Sequence, residues 1–462
     1  MRNPDRTVLF ESMPIPRAIA TLCIPTVVTS LVMVIYNIAD TFFVGMLGDP
    51  VQNAAVTLAS PVLLAFNAVN NLFGVGSSSM MSRALGAKDE DTVRRASAFG
   101  FYCALLGSLV ISLACLLGRD GLLRLLGTAE DTRGATADYL FYTACLGAAP
   151  SILNVVMAYM VRAEGAALHA SIGTMSGCIL NMVLDPMMIL PWGFNLGAAG
   201  AGLATCLSNC VSCVYFFVLI VKKRGRTCVC VSPRMLSLRP AIVRGVCGVG
   251  VPASIQNLLN VTGMTVLNNF AAAFGADAVA AMGIASRINN IAFQIALGLA
   301  QGVMPLIGYC FASRRVERMK RSLLFAGGIS LGFIMVCAGV YYAFAPTLVR
   351  LFLDNDVIVS TGARFLRAMC LGLPFIAVDF MAVGVFQACG MGGTALLFAV
   401  LRKVVLEIPA LLILNRLFPL YGLGYAQLCA ESVLGVAAAV VVARLFASLQ
   451  KQTRAWDAVA QK

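Results

Sequence analysis

From Ala18 to Val44 the chain carries a single charge, Asp40. A helix needs about 20 apolar residues to cross a hydrocarbon layer roughly 30 Å thick, and this stretch is long enough. Eleven similar stretches follow. With the first, the spans read approximately 17–46, 53–82, 96–117, 138–161, 168–192, 198–221, 245–274, 279–311, 323–345, 364–388, 396–418 and 423–447. Lipid offers the backbone no hydrogen-bond partner, so each span must be a helix or part of a closed barrel. The alternating ten-residue segments of a barrel are absent. The expected fold is therefore an all-α polytopic membrane protein with twelve transmembrane helices. Only 12% of residues are charged, about half the share in soluble domains.

Charge placement supports an even number of spans. With the N-terminus on the cytoplasmic side, only Arg119, Arg124, Arg133, Arg287, Arg350, Arg364, Arg367 and Arg416 fall outside, leaving 26 of the 34 Lys and Arg inside. That bias is the positive-inside rule, and it places both termini in the cytoplasm. The net charge of +13 then reads as topology, and nucleic acid is not an expected partner. The start of the chain lacks a signal-peptide pattern, so the first helix is expected to act as an uncleaved anchor. Most of the 16 cysteines lie within apolar runs and behave there as small hydrophobes. Cys228 and Cys230 form one C-x-C pair with no second pair at zinc spacing.

The sequence also repeats. Pro25 and Pro252, and Gly48 and Gly275, are 227 residues apart. "ACLG" at 144–147 and "MCLG" at 369–372 are 225 apart, as are "RAEG" at 162–165 and "QACG" at 387–390. The expected domains are an N-terminal six-helix lobe (1–221), a cytoplasmic linker (222–244) and a C-terminal six-helix lobe (245–462). An offset spanning an even number of helices makes the repeats parallel, related by an axis along the membrane normal. Two such halves suit a transporter working by alternating access.

Polar residues inside apolar spans then mark the candidate chemistry. An acid at the centre of a membrane helix costs about 2.5–3.5 kcal/mol on insertion scales and is functional by default. Asp40 and Asp185 meet that criterion. Tyr36 and Asn37 share the first span with Asp40. Asn181 and Asp185, four residues apart, share a helix face. Two carboxylates with amide and hydroxyl oxygens form a hard-ligand set suited to Na⁺, and the same set can hold a shared proton. Asn154, Thr205 and Asn209 are further polar residues of this half, although single Asn and Thr residues in membranes more often bridge helices. The C-terminal half offers Asp379, which aligns with Asn154, Glu407, which aligns approximately with Asp185, and Glu431. Arg402 and Lys403 stand near Glu407, so a structural ion pair there is an alternative. His169 reads as a loop-end residue. "GVGSSS" at 74–79 lacks the Lys and the preceding strand of a phosphate loop. No metalloprotease, nucleophile-elbow or kinase motif is present, so neither an enzyme nor an ATP-driven pump is expected.

The segments "IPTVVTSLVMVIYNIADTFFVGMLG", "VTLASPV", "GVGSSSMMSRALGAKD", "NMVLDPMMI" and "FQACGMG" resemble the multidrug and toxic compound extrusion (MATE) transporters, of the bacterial MepA and DinF-like type. The resemblance covers about residues 11–447. It implies two six-helix lobes in the cell membrane and antiport of organic cations against inward H⁺ or Na⁺, with no other cofactor. Asp40 stands where DinF-like members carry the coupling carboxylate. Asn181, Asp185, Asn154 and Thr205 match the family's N-lobe cation site, so Asp40, Asp185 and Asn181 are the ligands if the ion is Na⁺. Span 7 has Gln256, Asn257 and Asn260 but no acid, unlike the NorM branch. The expected substrate contacts are Asp379, Tyr36, Asn37, Gln256, Asn257 and Glu407. A lipid-precursor flippase and a polytopic membrane enzyme are the rival readings. The mostly acidic intramembrane charge speaks against the first, and the absence of a catalytic constellation against the second. The apolar exterior is compatible with a monomer in lipid.

Overall fold

The computed structural model describes residues 8–460 apart from Asp354, with side chains as far as Thr453. Arg2, Arg6 and Lys462, which entered the charge count, lie outside the described residues. The chain is helical, with no strand among the described residues. In order come α1 (Ile15–Gly45), α2 (Pro50–Gly86), α3 (Glu90–Leu117), α4 (Glu130–Leu146 and Ala148–Ala163, bent by 48°), α5 (Ala167–Ile189) and α6 (Gly197–Lys222). After the connection follow α7 (Pro240–Ala272), α8 (Ala276–Ala312), α9 (Val316–Arg350) and α10 (Asp356–Cys370 and Leu373–Ala388, bent by 45°). The last are α11, in three pieces (Gly392–Val400, Leu401–Glu407 and Ile408–Leu417), and α12 (Gly422–Ala460).

Among the described residues, nine helices are long and apolar enough to cross a membrane, or eleven if each bent pair is one span. The twelfth expected span, 396–418, is α11. It is helical throughout, but a π-turn carrying Arg402, Lys403 and Glu407 interrupts it. Outward-facing side chains explain why the fold needs lipid. Leu106, Leu113 and Leu117 on α3 and Val214 and Val221 on α6 are more than half exposed, and contiguous apolar surface of this kind is excluded from water.

The repeat persists in the backbone. The bends in α4 and α10 fall at Gly147 and Gly372. Left-handed residues recur in pairs: Gly48 with Gly275, Lys88 with Arg314, Gly165 with Gly390, and Asn195 with Leu420. The first three pairs follow closely on helix ends, where the αL conformation lets loop amides reach the last carbonyls, and the fourth lies just before the next helix. Helix starts are capped in the usual way. Asp49 accepts from the Val51 amide at 2.9 Å, Asp89 from the Thr92 amide at 3.0 Å and Asn355 from the Val357 amide at 3.0 Å. The Thr92 hydroxyl also donates to Asp89 at 2.6 Å, and these bonds hold the Asp89 carboxyl below its usual range.

The sequence places the division between halves at 222–244, but the contacts divide the chain inside helices. One unit contains 8–12 and 28–254, the other 13–27 and 255–460. The connection belongs to the first unit and is strapped down. Glu164 accepts from the Thr227 hydroxyl and the Cys228 amide, Ser97 from the Cys230 amide, and the Tyr102 hydroxyl donates to the Val231 carbonyl at 2.7 Å. In this unit the first half of α7 lies on α2. Ser254 donates to the Ala68 carbonyl at 2.6 Å, and Gly250 sits against the Leu72 carbonyl where no Cβ would fit. In the second unit the first half of α1 lies on α8 in the same manner. The Cys23 thiol reaches the Leu299 carbonyl, and Gly302 faces the Cys23 backbone.

Gly250→Ala is therefore expected to push α7 off α2. Overpacking of this kind costs roughly 1–3 kcal/mol, read as a fall in the thermal midpoint of detergent-purified protein. Gly248→Ala, which meets nothing within 4 Å, is expected to leave the midpoint unchanged or raise it.

Candidate functional site

In the first unit, α5 carries Gly173, Gly177, Asn181 and Asp185 at four-residue steps along one face. The two glycines, spaced as a small-xxx-small pair, let α6 come close. Gly177 faces Ser208 and Ser212, and Gly173 faces Phe216. That approach sets Asn181 against Thr205 of α6, to which it donates at 3.3 Å. A layer away, Asn154 of α4 donates to Asn209 at 2.8 Å, and Asn209 donates to the Ser151 hydroxyl at 2.8 Å. Both amides are thereby fixed in orientation.

Asp185 is fully buried, and neither of its carboxylate oxygens receives a hydrogen bond, although Asn181 lies one turn away with its own carbonyl oxygen unpartnered. Pro186 follows within the helix. It has no N–H to give, so the carbonyl four residues back loses its helical partner. From α1, Asp40 and Tyr36 share one face and are half-buried. The charge of Asp40 acts directly on Asp185, and both carboxylates act on Tyr36 and on Tyr139 of α4. The structure thus brings Asp40, Tyr36, Asp185, Asn181 and Thr205 into one region, with Asn154 beside it. Asn37 points away from that region and is exposed. Among the described residues, no three His, Cys, Asp or Glu side chains converge in the manner of a transition-metal site. The oxygens present are two carboxylates, amides and a hydroxyl, a set that fits a small hard cation or a proton.

An unpaired buried carboxylate costs several kcal/mol even after relaxation, and here the like charge of Asp40 acts on Asp185 as well.

The acids of the second unit are differently placed. Asp379 on α10 is buried against Arg402 of α11, whose Nη1 lies 3.2 Å from its Oδ2. Glu407 receives the Lys403 ammonium on both oxygens, at 2.7 and 2.6 Å. Gly263 on α7 leaves the space that the Lys403 stem occupies. Gln256 accepts from Gln387 at 3.2 Å, and Asn257 is half-exposed on the same helix. The expected substrate contacts are thus not one cluster. Tyr36 and Asn37 belong to the first unit, and Asp379, Glu407, Gln256 and Asn257 to the second, where both acids already hold a cation of the chain. Sequence reading passed over Ser151, Tyr139 and the glycine pair 173/177. Only the last had a visible signal, the four-residue spacing that continues to Asn181 and Asp185.

Comparison with known proteins follows the same lines. The family profile described as MatE matches residues 25–187 and again 252–413, so the two matches reproduce the internal repeat. The chain is 33% identical over 440 residues to the multidrug export protein MepA of Staphylococcus aureus (strain MRSA252), covering 95% of this chain and 96% of that one. It is 32% identical over 441 residues to the MepA protein of Staphylococcus saprophyticus, with the same coverage. A solved structure described as the outward-facing conformation of a multidrug resistance MATE family transporter of the MOP superfamily superposes with a TM-score of 0.91 at 26% identity, covering 98% of this chain and all of that one.

If Asp40 and Asp185 repel each other, their neutralisations must overlap. Asp40→Asn and Asp185→Asn are each expected to raise the thermal midpoint, and the double variant to gain less than the sum by more than about 0.5 kcal/mol. Strict additivity would show that the two carboxylates do not sense each other.

Proposed function

Because the chain belongs to the MATE family of membrane transporters, we propose that it is a secondary active antiporter exporting organic compounds, lipophilic cations among them, in exchange for H⁺ or Na⁺. The observation that carries this reading is the Asp40–Asp185 pair, in which Asp185 is buried with both carboxylate oxygens unpartnered, unlike Asp379 and Glu407, which hold Arg402 and Lys403.

Asp40 and Asp185 take up the coupling ion, whose positive charge relieves their repulsion. The Asn181 carbonyl and the Thr205 hydroxyl offer neutral oxygens beside them, and the Asn154–Asn209–Ser151 chain holds the wall behind. Tyr36 lies on the helix that carries Asp40, so occupancy at the acid alters the surface that Tyr36 presents to a substrate. Gln256 and Asn257 provide neutral polar contacts in the second unit, and Asp379 and Glu407 would meet a cationic substrate only by releasing Arg402 and Lys403. An ion drives the cycle only through its different affinity for the two conformations; a 99-fold bias each way takes about 5.5 kcal/mol of differential binding.

The excess of Lys and Arg in one set of loops supports a bacterial plasma-membrane protein with both termini in the cytoplasm, and the apolar exterior supports a monomer in lipid.

The test uses purified protein in liposomes holding a fluorescent lipophilic cation, with a Na⁺ gradient alone and then a pH gradient alone. One gradient is expected to drive dye movement in the wild type, which names the ion. Asp40→Asn is expected to abolish that movement while remaining folded and inserted. Full activity in the variant would remove Asp40 from coupling, and no movement under either gradient would turn the assay to lipid-precursor flipping.

A further inference from the structure

The second unit contains a buried ionic centre to which the antiport reading gives no ion-coupling role. Arg402, 1% exposed, stands between two acids, Asp379 and Glu431, each 2% exposed. Its Nη1 lies 3.2 Å from Asp379 Oδ2 and 3.8 Å from Glu431 Oε1. Its Nη2 donates to the side-chain carbonyl of Asn260 on α7. Its guanidinium carbon lies 5.5 Å from the centre of the Phe380 ring, which packs edge-on to Phe293 of α8 at 4.6 Å. The side chain is therefore pinned from three helices, α7, α10 and α12, and it lies in the π-turn of α11.

The charges do not balance. Lys403 and Glu407 form a closed pair. Arg402 then faces two carboxylates, leaving one negative charge in excess. The charged groups acting on Glu431 are Arg402, Asp379, Lys403 and Glu407; α12 contributes Glu431 itself, α10 Asp379, α11 the other three and α7 the neutral Asn260. Asp379 Oδ1, Glu431 Oε2 and Arg402 Nε are buried without a partner. A lone buried charge of this kind costs several kcal/mol, so the centre must acquire one positive charge.

We propose that Asp379 and Glu431 share a single proton around Arg402, forming a proton-binding centre in the second unit, separate from the Asp40–Asp185 site. The guanidinium selects the ion. A metal cation would have to sit beside a fixed positive charge, whereas a proton on one carboxyl oxygen leaves the arginine paired to the other acid. The proton adds to an unpartnered oxygen as an O–H, and no other bond is made or broken.

The proposal can be read without transport, by infrared spectroscopy of purified D40N/D185N protein, in which the first site is neutralised. One protonated-carboxyl band sensitive to H₂O/D₂O exchange is expected at neutral pH. D379N and E431Q, each added to that background, should abolish it, because removing either acid restores charge balance. Arg402→Met should raise its area about twofold, since both acids then need a proton. If Arg402→Met fails to fold, the two neutralising variants and a Na⁺ titration of the parent still decide. Absence of the band in the parent, or its survival in both E431Q and D379N, would overturn the proposal. Loss of the band on adding Na⁺ at fixed pH would overturn the proton selectivity and make the centre a sodium site.

Discussion

An unpaired carboxylate inside a hydrocarbon layer is the constraint on which the rest of this structure turns. Backbone polarity is settled by helices, but a side-chain charge must find a counter-charge or leave. The chain answers in two ways. In the first unit Asp185 is buried with neither carboxylate oxygen hydrogen-bonded, and the charge of Asp40 acts on it. In the second the chain supplies Arg402 and Lys403 from its own sequence. Among the described residues, the Asp40–Asp185 pair has no counterpart to the salt bridges in which Arg402 and Lys403 pair with Asp379 and Glu407.

That contrast sits on a shared backbone. The matched left-handed residues and the matched bends in α4 and α10 show that the two halves follow one plan to within a residue or two. Asn154 and Asp379 occupy equivalent positions, yet one completes an amide–hydroxyl chain and the other pairs with an arginine. Leu420 adopts a left-handed conformation where its counterpart is Asn195, a costly choice for a branched side chain. Loop geometry has outlasted the residue best suited to it.

Much of this was legible in the sequence, because the hydrocarbon thickness and the cost of a buried charge act on residue types directly. The apolar runs mark the helices, and an acid in such a run marks itself, as Asp40 and Asp185 do. Three features were hidden for physical reasons. The interruption of α11 depends on a π-turn that differs from α-helix by one residue and leaves no compositional trace. The partners of Arg402 come from α7, α10 and α12, up to 142 positions away, and only folding brings them together. The division of the contacts within α1 and α7 was hidden because a linker is visible as composition, whereas that division falls within continuous apolar runs.

That last feature bears on how the protein is made. Residues 13–27 are made early, yet belong with a unit whose other residues begin at 255, while the first unit needs 240–254, made after its other helices. The first unit is not complete until residue 254 has been translated, beyond the six helices of its own half. The opening turns of α1 must therefore wait, inserted but without their final neighbours, until α8 is synthesised. Only the second unit thus depends on the whole chain, since it joins the opening turns of α1 to the last helices.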